Sequence, residues 1–123
     1  MKIIHKQNAI HFTNPEGTKV DLYLRSEYSV YYNEILPHAT QPWHHHDHIL
    51  ESHFIIEGEL TVMWREGGKE VSVIVRAGDL TEADNTPHTF TNHTDQVVKF
   101  LVLKQVPSGQ DKVELLKTDK VLD

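Results

Sequence analysis

The sequence contains no cysteine. That removes disulfides, thiolate zinc sites, iron–sulfur clusters and thiol nucleophiles, and it sits easily with a reducing cytoplasm, the expected location. No apolar run approaches the roughly 20 residues that a membrane helix requires. The opening stretch MKIIHKQNAIHF lacks the sustained apolar segment of a secretory signal, so neither a membrane partner nor export is expected. Basic residues are also scarce. Lys and Arg total 12 against 18 Asp and Glu, a net charge of −6 with neutral His. Proteins that bind nucleic acid generally carry a basic face, so no nucleic-acid partner is expected.

What remains is ordinary in balance, with 38% hydrophobic and 24% charged residues. That composition argues against wholesale disorder. The 123 residues suit one domain spanning 1–123, long enough for a core without staples. One residue type is in surplus. There are ten histidines, and five of them (His44, His45, His46, His48 and His53) fall within ten positions inside the chain. Protonating all ten would carry the net charge from −6 to +4.

Strand patterns dominate. Ala9–Thr13 is a short alternating run, Val20, Leu22 and Leu24 alternate with polar neighbours, and Tyr28–Leu36 is rich in aromatic and branched residues. Leu50–Glu57 closes at Gly58. Glu59–Arg65 and Glu70–Arg76 flank Glu66-Gly67-Gly68-Lys69, a hairpin turn signal, and Val71, Val73 and Val75 share one face. Ala77-Gly78-Asp79 reads as a further turn, and Gln96–Val106 as a final apolar strand. Short strands at intervals of about ten residues point to an all-β sandwich or barrel rather than alternating βα units. Only the tail, around Gln110–Lys120, has helical spacing.

Residues two apart on a strand face the same way, so His44 and His46 converge while His45 points aside. Glu51 follows a short turn and reaches the same face from the next strand. Two imidazoles and a carboxylate suit a divalent first-row metal, with a fourth ligand from elsewhere. His88, after the turn-rich segment that begins at Gly78, is the candidate. Without the spacing, the same residues would read as a polar loop that binds metal non-specifically.

The run PWHHHDHILESHFIIEGEL resembles the first motif of the cupin family, H-x-H-x(3,4)-E-x(6)-G, through His44, His46, Glu51 and Gly58. GDLTEADNTPHTFTN is similar to the second, G-x(5)-P-x-G-x(2)-H-x(3)-N, through Gly78, His88 and Asn92. His38 stands where the first motif opens on Gly. Asp84 and Thr86 stand for the Pro and inner Gly of the second, which is one residue short between Gly78 and His88. The resemblance covers about Leu36–Val106. It implies a double-stranded β-helix, or jelly-roll barrel, over 36–106, with N-terminal strands over 9–35 and a tail over 107–123 that can carry a short helix. It further implies one divalent transition metal per chain (Fe, Mn, Ni, Zn or Cu) held by His44, His46, Glu51 and His88, and in many members an enzyme.

His53 shares a face with Glu51, and its ordinary pKa near 6.5 suits proton transfer. It and Glu51 are the candidate catalytic residues; a structural histidine on the wall is the plainer reading of His53. His48 has the parity of His46, but the turn should redirect it. Asn92 and Asp79 are expected to stabilise turns. Trp43, Phe54, Phe90, Phe100 and Trp64 are expected in the core or lining a pocket. Arg25, Arg65 and Arg76 read as solvent-facing strand residues.

The leading function is a metal-dependent enzyme of the dioxygenase type acting on a small organic molecule. A metal-dependent isomerase or lyase, and a non-catalytic module that binds or senses a small ligand, are the alternatives. Edge-strand pairing is expected to give a homodimer, with the N-terminal segment in the contact.

Overall fold

The computed structural model describes residues 1–106 and 112–123, the side chains of 112–114 excepted. Among these residues eleven strands and one helix follow a short 3-10 turn at Lys6–Asn8. They are β1 (Ile10–Thr13), β2 (Lys19–Leu24), β3 (Tyr28–Ile35), β4 (His44–His46), β5 (Leu50–Glu57), β6 (Glu59–Glu66), β7 (Lys69–Arg76), β8 (Leu80–Ala83), β9 (His88–Thr91), β10 (Val98–Gln105), α1 (Lys112–Thr118) and β11 (Lys120–Leu122). The pairing is antiparallel throughout and makes two sheets, one ordered β1-β2-β3-β10-β5-β8 and the other β11-β4-β9-β6-β7. The expected all-β architecture is present. The strand expected at Gln96–Val106 is β10, shorter at both ends, and it is not the final one, since β11 follows the helix. The helix starts at Lys112, and the first residues of the expected Gln110–Lys120 segment lie outside the described residues.

Alternation builds the core. On β5 the side chains of Glu51, His53 and Ile55 turn inward, and on β10 those of Val98, Phe100 and Val102 do so. They meet Leu60 and Val62 of β6, Val75 of β7 and Phe90 of β9 from the opposite sheet. Phe90 and Phe100 stack with ring centroids 5.7 Å apart. Truncating either to alanine should cost about 3–5 kcal/mol, the usual range for a buried phenylalanine. Phe54 departs from expectation. It is 44% exposed, because strand parity gives the inside of β5 to His53 and Ile55, and hydrophobicity cannot override that. Val73 is likewise 45% exposed, although it still lines a cavity.

Gly67 and Gly68 both have positive φ, 57° and 78°, as a two-residue hairpin turn demands. Gly58, at φ 95°, links β5 to β6 where an added Cβ would sit 2.9 Å from Val98. The two departures from the glycine pattern are explained by backbone geometry. His38 sits at φ 61°, so the left-handed turn is kept without its glycine. Asn85, not Thr86, takes the inner glycine's conformation, with φ 57°. Counted back from His88 it is the third residue, so the missing residue lies between Gly78 and Asn85. Asn tolerates this region better than most residues because its short polar side chain bonds locally.

Asn92 and Asp79 do act on turns. Asn92, fully buried, donates to the carbonyls of Ile35, Leu36 and Gln96 and accepts from Thr94. The Asp79 carboxylate accepts from Arg76 N at 2.7 Å. A second small cluster, Ile49, Val106 and Leu116, seats α1. From there β11 runs antiparallel to β4, pairing Lys120 with His46, Val121 with His45 and Leu122 with His44.

Candidate metal centre

Three strands bring five titratable side chains together between the sheets. β4 supplies His44 and His46, β5 supplies Glu51 and His53, and β9 supplies His88, with His44 directly opposite His88 in register. All five are buried, none more than 6% exposed. His45 points away, as parity requires, and its ring bonds the Asp123 carboxylate at 2.7 Å. His48 is turned outward onto Asp119, 2.9 Å away.

Glu51 is the hub. Oε2 lies 2.5 Å from His46 Nε2, and Oε1 lies 2.6 Å from His53 Nε2, 3.1 Å from His88 Nε2 and 3.8 Å from His44 Nε2. Donor atoms of His44, His46 and Glu51 all fall within 4.8 Å of one another, as do those of Glu51, His53 and His88. The other ring nitrogens decide the tautomers. His44 Nδ1 donates to Pro42 O at 3.0 Å, and His88 Nδ1 donates to Thr86 O at 2.7 Å. A carbonyl can only accept, so both neutral rings direct the lone pair of Nε2 at Glu51. Lone pairs that face a carboxylate repel it unless a cation lies between them or the ring takes a second proton. Backbone partners of this kind orient metal-ligating imidazoles. His46 Nε2, despite its short approach to Glu51, makes no hydrogen bond of acceptable geometry, and neither does its Nδ1. An orphaned buried ring nitrogen, two lone pairs and a carboxylate are a donor set that fits a divalent cation.

His53 is different. Its Nε2 must donate to Glu51 Oε1, and its Nδ1 takes the hydroxyl of Thr81 at 2.9 Å. Burial would raise the Glu51 pKa, but the imidazoles around it, His53 foremost, outweigh burial and hold it well below the ordinary carboxylate range. Burial lowers the His44 pKa, a shift that Glu51 only partly offsets. Both directions keep the groups in the forms that bind metal, carboxylate and neutral imidazole.

Two cavities flank the cluster. One, about 360 Å³, is walled by Val62, Trp64, Val73, Val75 and Phe90 and reaches His53 and His88. The other, about 270 Å³, opens on His44, His46, Glu51 and His53, with Lys104, Lys117 and Lys120 around it. Lys104 shares the inward parity of Phe100 and Val102. Its Nζ lies 3.9 Å from Glu51 Oε2 and 4.3 Å from the Tyr31 ring centroid. Burial and the Lys104 charge lower the pKa of Lys120.

Sequence reasoning missed Asp119, Lys104 and Lys120. Asp119 Oδ2 accepts from His48 N at 2.8 Å and from Ile49 N at 2.9 Å, and it lies 4.0 Å from His46 Nδ1. Nothing in the local sequence around these residues marks them. The inward parity of Lys104 was the one available signal.

Comparison with known proteins agrees with this fold. A family model described as the cupin domain matches residues 31–104. No curated protein sequence matches the chain. Among solved structures, an oxalate oxidase aligns at 22% identity and TM-score 0.69, over 85% of this chain and 59% of its own. Bacillus subtilis oxalate decarboxylase aligns at 15% identity and TM-score 0.76, over 97% of this chain and 31% of its own. A Lactobacillus farciminis oxalate decarboxylase in complex with formate aligns at 20% and 0.74, over 97% and 35%. The chain thus spans about three fifths of the oxidase and about a third of the decarboxylases. At these identities the likeness is one of fold. No helix among the described residues is long and apolar enough to cross a membrane.

Proposed function

The chain belongs to the cupin domain family, and from that premise we propose that it is a metal-dependent enzyme of the dioxygenase type acting on a small organic molecule. His44, His46, Glu51 and His88 hold one divalent transition metal. The observation that carries this reading is the pair of fixed tautomers: His44 and His88 each give their Nδ1 proton to a backbone carbonyl and turn a lone pair on the Glu51 carboxylate. When bound, such an ion polarises a substrate oxygen and, if it is Fe or Mn, gives access to O2 chemistry.

The chain's own residues do the rest. His44 and His88 are held in register across the β4–β9 pair. Glu51 stays ionised, so it neutralises charge in the site without needing to lose a proton first. His53 Nε2 holds a proton at Glu51, and Thr81 steadies the ring from the other side. His53 lines both cavities, so it can pass that proton to a group bound in either. Phe90 and Phe100 keep water from the inner side of the cluster. The oxalate enzymes named above act on a small carboxylic acid, which supports a substrate of that size.

Elemental analysis of the untagged protein tests the reading, paired with His44→Ala and with O2 uptake against small enols, diketones and hydroxy acids. One equivalent of metal that His44→Ala abolishes, with uptake that follows metal content, is the expected result. No stoichiometric metal even after reconstitution sinks the proposal, and tight ligand binding without turnover converts it to a sensing role.

A further inference from the structure

The chain is acidic, with a net charge of −6, yet the cavity over His44 and His46 has the opposite character. Lys104, Lys117 and Lys120 line it, and Glu51 is the sole carboxylate doing so among the described residues. Lys104 is the informative one. Its side chain is only 12% exposed, and its carboxylate neighbour is Glu51 at 3.9 Å, a group already shared among four imidazoles. A lysine this covered is rare unless it is paired. Lys120, next to His46 in register and exposed at the rim, adds a second positive charge that repels the first and that Glu16 partly offsets. A bound cation at Glu51 would make the excess larger. On the same wall Asn33, 6% exposed, has an amide oxygen with no hydrogen-bond partner among the described residues.

We infer that this cavity is a binding site for a small carboxylate that also carries a hydroxyl, its charge met by Lys104 and Lys120 and its hydroxyl donating to the Asn33 amide oxygen. This rests on the metal-site reading only in making that carboxylate the substrate. A pocket of one sign of charge between low-dielectric walls focuses its field and concentrates counter-ions of the other sign. Lysine here acts as a point charge rather than a bidentate clamp. That suits one carboxylate in a volume of about 270 Å³.

The test is calorimetric binding of lactate, lactamide and inorganic phosphate to the full-length protein, with metal content measured on the same samples. Lactamide differs from lactate chiefly in charge. Lactate should bind at least tenfold more tightly than lactamide. Lys104→Met should weaken lactate at least tenfold, Lys104→Arg should recover most of the loss, and Lys120→Met should cost severalfold. If Lys104→Met does not fold, Lys120→Met and the lactamide comparison decide. Absence of lactate binding, lactamide as tight as lactate, or lactate affinity unmoved in the folded lysine variants would overturn the site. Phosphate as tight as lactate would overturn the carboxylate assignment. Charge-dependent lactate binding in protein that takes up no metal would leave this site standing and remove the enzyme. Stoichiometric metal without lactate binding would do the reverse.

Discussion

Replacing Asp119 tests how the C-terminal segment supports the metal strand. Its carboxylate accepts from two consecutive backbone N–H groups, His48 and Ile49, and from the His48 ring. In Asp119→Ala the Ile49 N–H, buried, loses its acceptor, at a cost of about 1–3 kcal/mol for an unsatisfied buried donor. The His48 N–H is less covered, so water can replace the lost bond and the cost is about 1 kcal/mol. The sum is about 2–4 kcal/mol. With a urea dependence of about 1–3 kcal/mol/M for a small domain, the midpoint should fall by about 1–2 M. Trp43, whose carbonyl accepts from Asp123 N at 2.9 Å, is a suitable fluorescent reporter. Metal affinity should fall too, by about tenfold, the low end of the effect of residues that orient ligands. The reason is that β4 meets β9 through His44 and His88 alone, but meets β11 along all three of its residues. Asp119→Asn keeps an acceptor for the two N–H groups and should lose roughly half as much stability. The acid dependence has a definite sign. Burial would raise the Asp119 pKa, but the bonds from His48 and Ile49 outweigh it and lower it from 3.8. The stabilisation is therefore complete above that value and is lost as pH falls through the lower folded-state value. A midpoint within 0.3 M of wild type would refute the energetic argument. A normal metal affinity in a clearly destabilised variant would refute the coupling to β4.

His38→Gly should raise stability by about 0.5 kcal/mol, since a residue with a Cβ at positive φ is strained by about 1–2 kcal/mol and the exposed His38–Asp95 contact that is lost offsets little; Asn85→Gly should gain less, because Asn tolerates this region, and a fall in the thermal midpoint of His38→Gly would contradict the turn assignment. In the metal-free protein the His44 contribution should cost stability as pH falls below about 6.5, because the unfolded chain gains a proton that the lowered pKa of His44 denies the fold; His45, whose pKa Asp123 raises, acts in the opposite sense but is screened by solvent. Stability should drop again as pH falls below about 4.5, where the unfolded chain protonates its carboxylates while the fold still holds Glu51 and Asp119 ionised; a flat profile from pH 7 to 5 would contradict the first step. Metal should leave over the acid range as the imidazoles protonate, and full retention at pH 4 by elemental analysis would exclude the coordination set. Among the described residues β1 pairs only with β2, and it exposes Ile10 and Phe12 at 50% and 40%, so a second copy added along this edge should give twice the 14.2 kDa chain mass. Light scattering that returned a clean single-chain mass would rule this out.

Local periodicity made much of the molecule legible in advance. Parity on β4 sends His44 and His46 inward and His45 outward whatever they pack against, and the interval to Glu51 leaves room for one short turn. Gly67-Gly68 demands a two-residue hairpin by its backbone alone. The same reasoning failed at Phe54, since alternation says which residues share a face but not which face is covered. That depends on where β10 and the opposite sheet lie. It also misplaced the inner turn at Thr86, where one deleted residue can be absorbed on either side and only the φ of Asn85 shows which. The deepest omissions, Asp119, Lys104 and Lys120, are separated from the residues they serve by roughly half the chain. Asp119 meets His48 across 71 positions, and Lys104 meets Glu51 across the β10–β5 pair. The one-dimensional pattern thus determined the strands and the donor atoms. Which charges surround those donors was decided by sheet pairing and by the seating of α1, because electrostatic and hydrogen-bonding partners are set by distance in space, not along the chain.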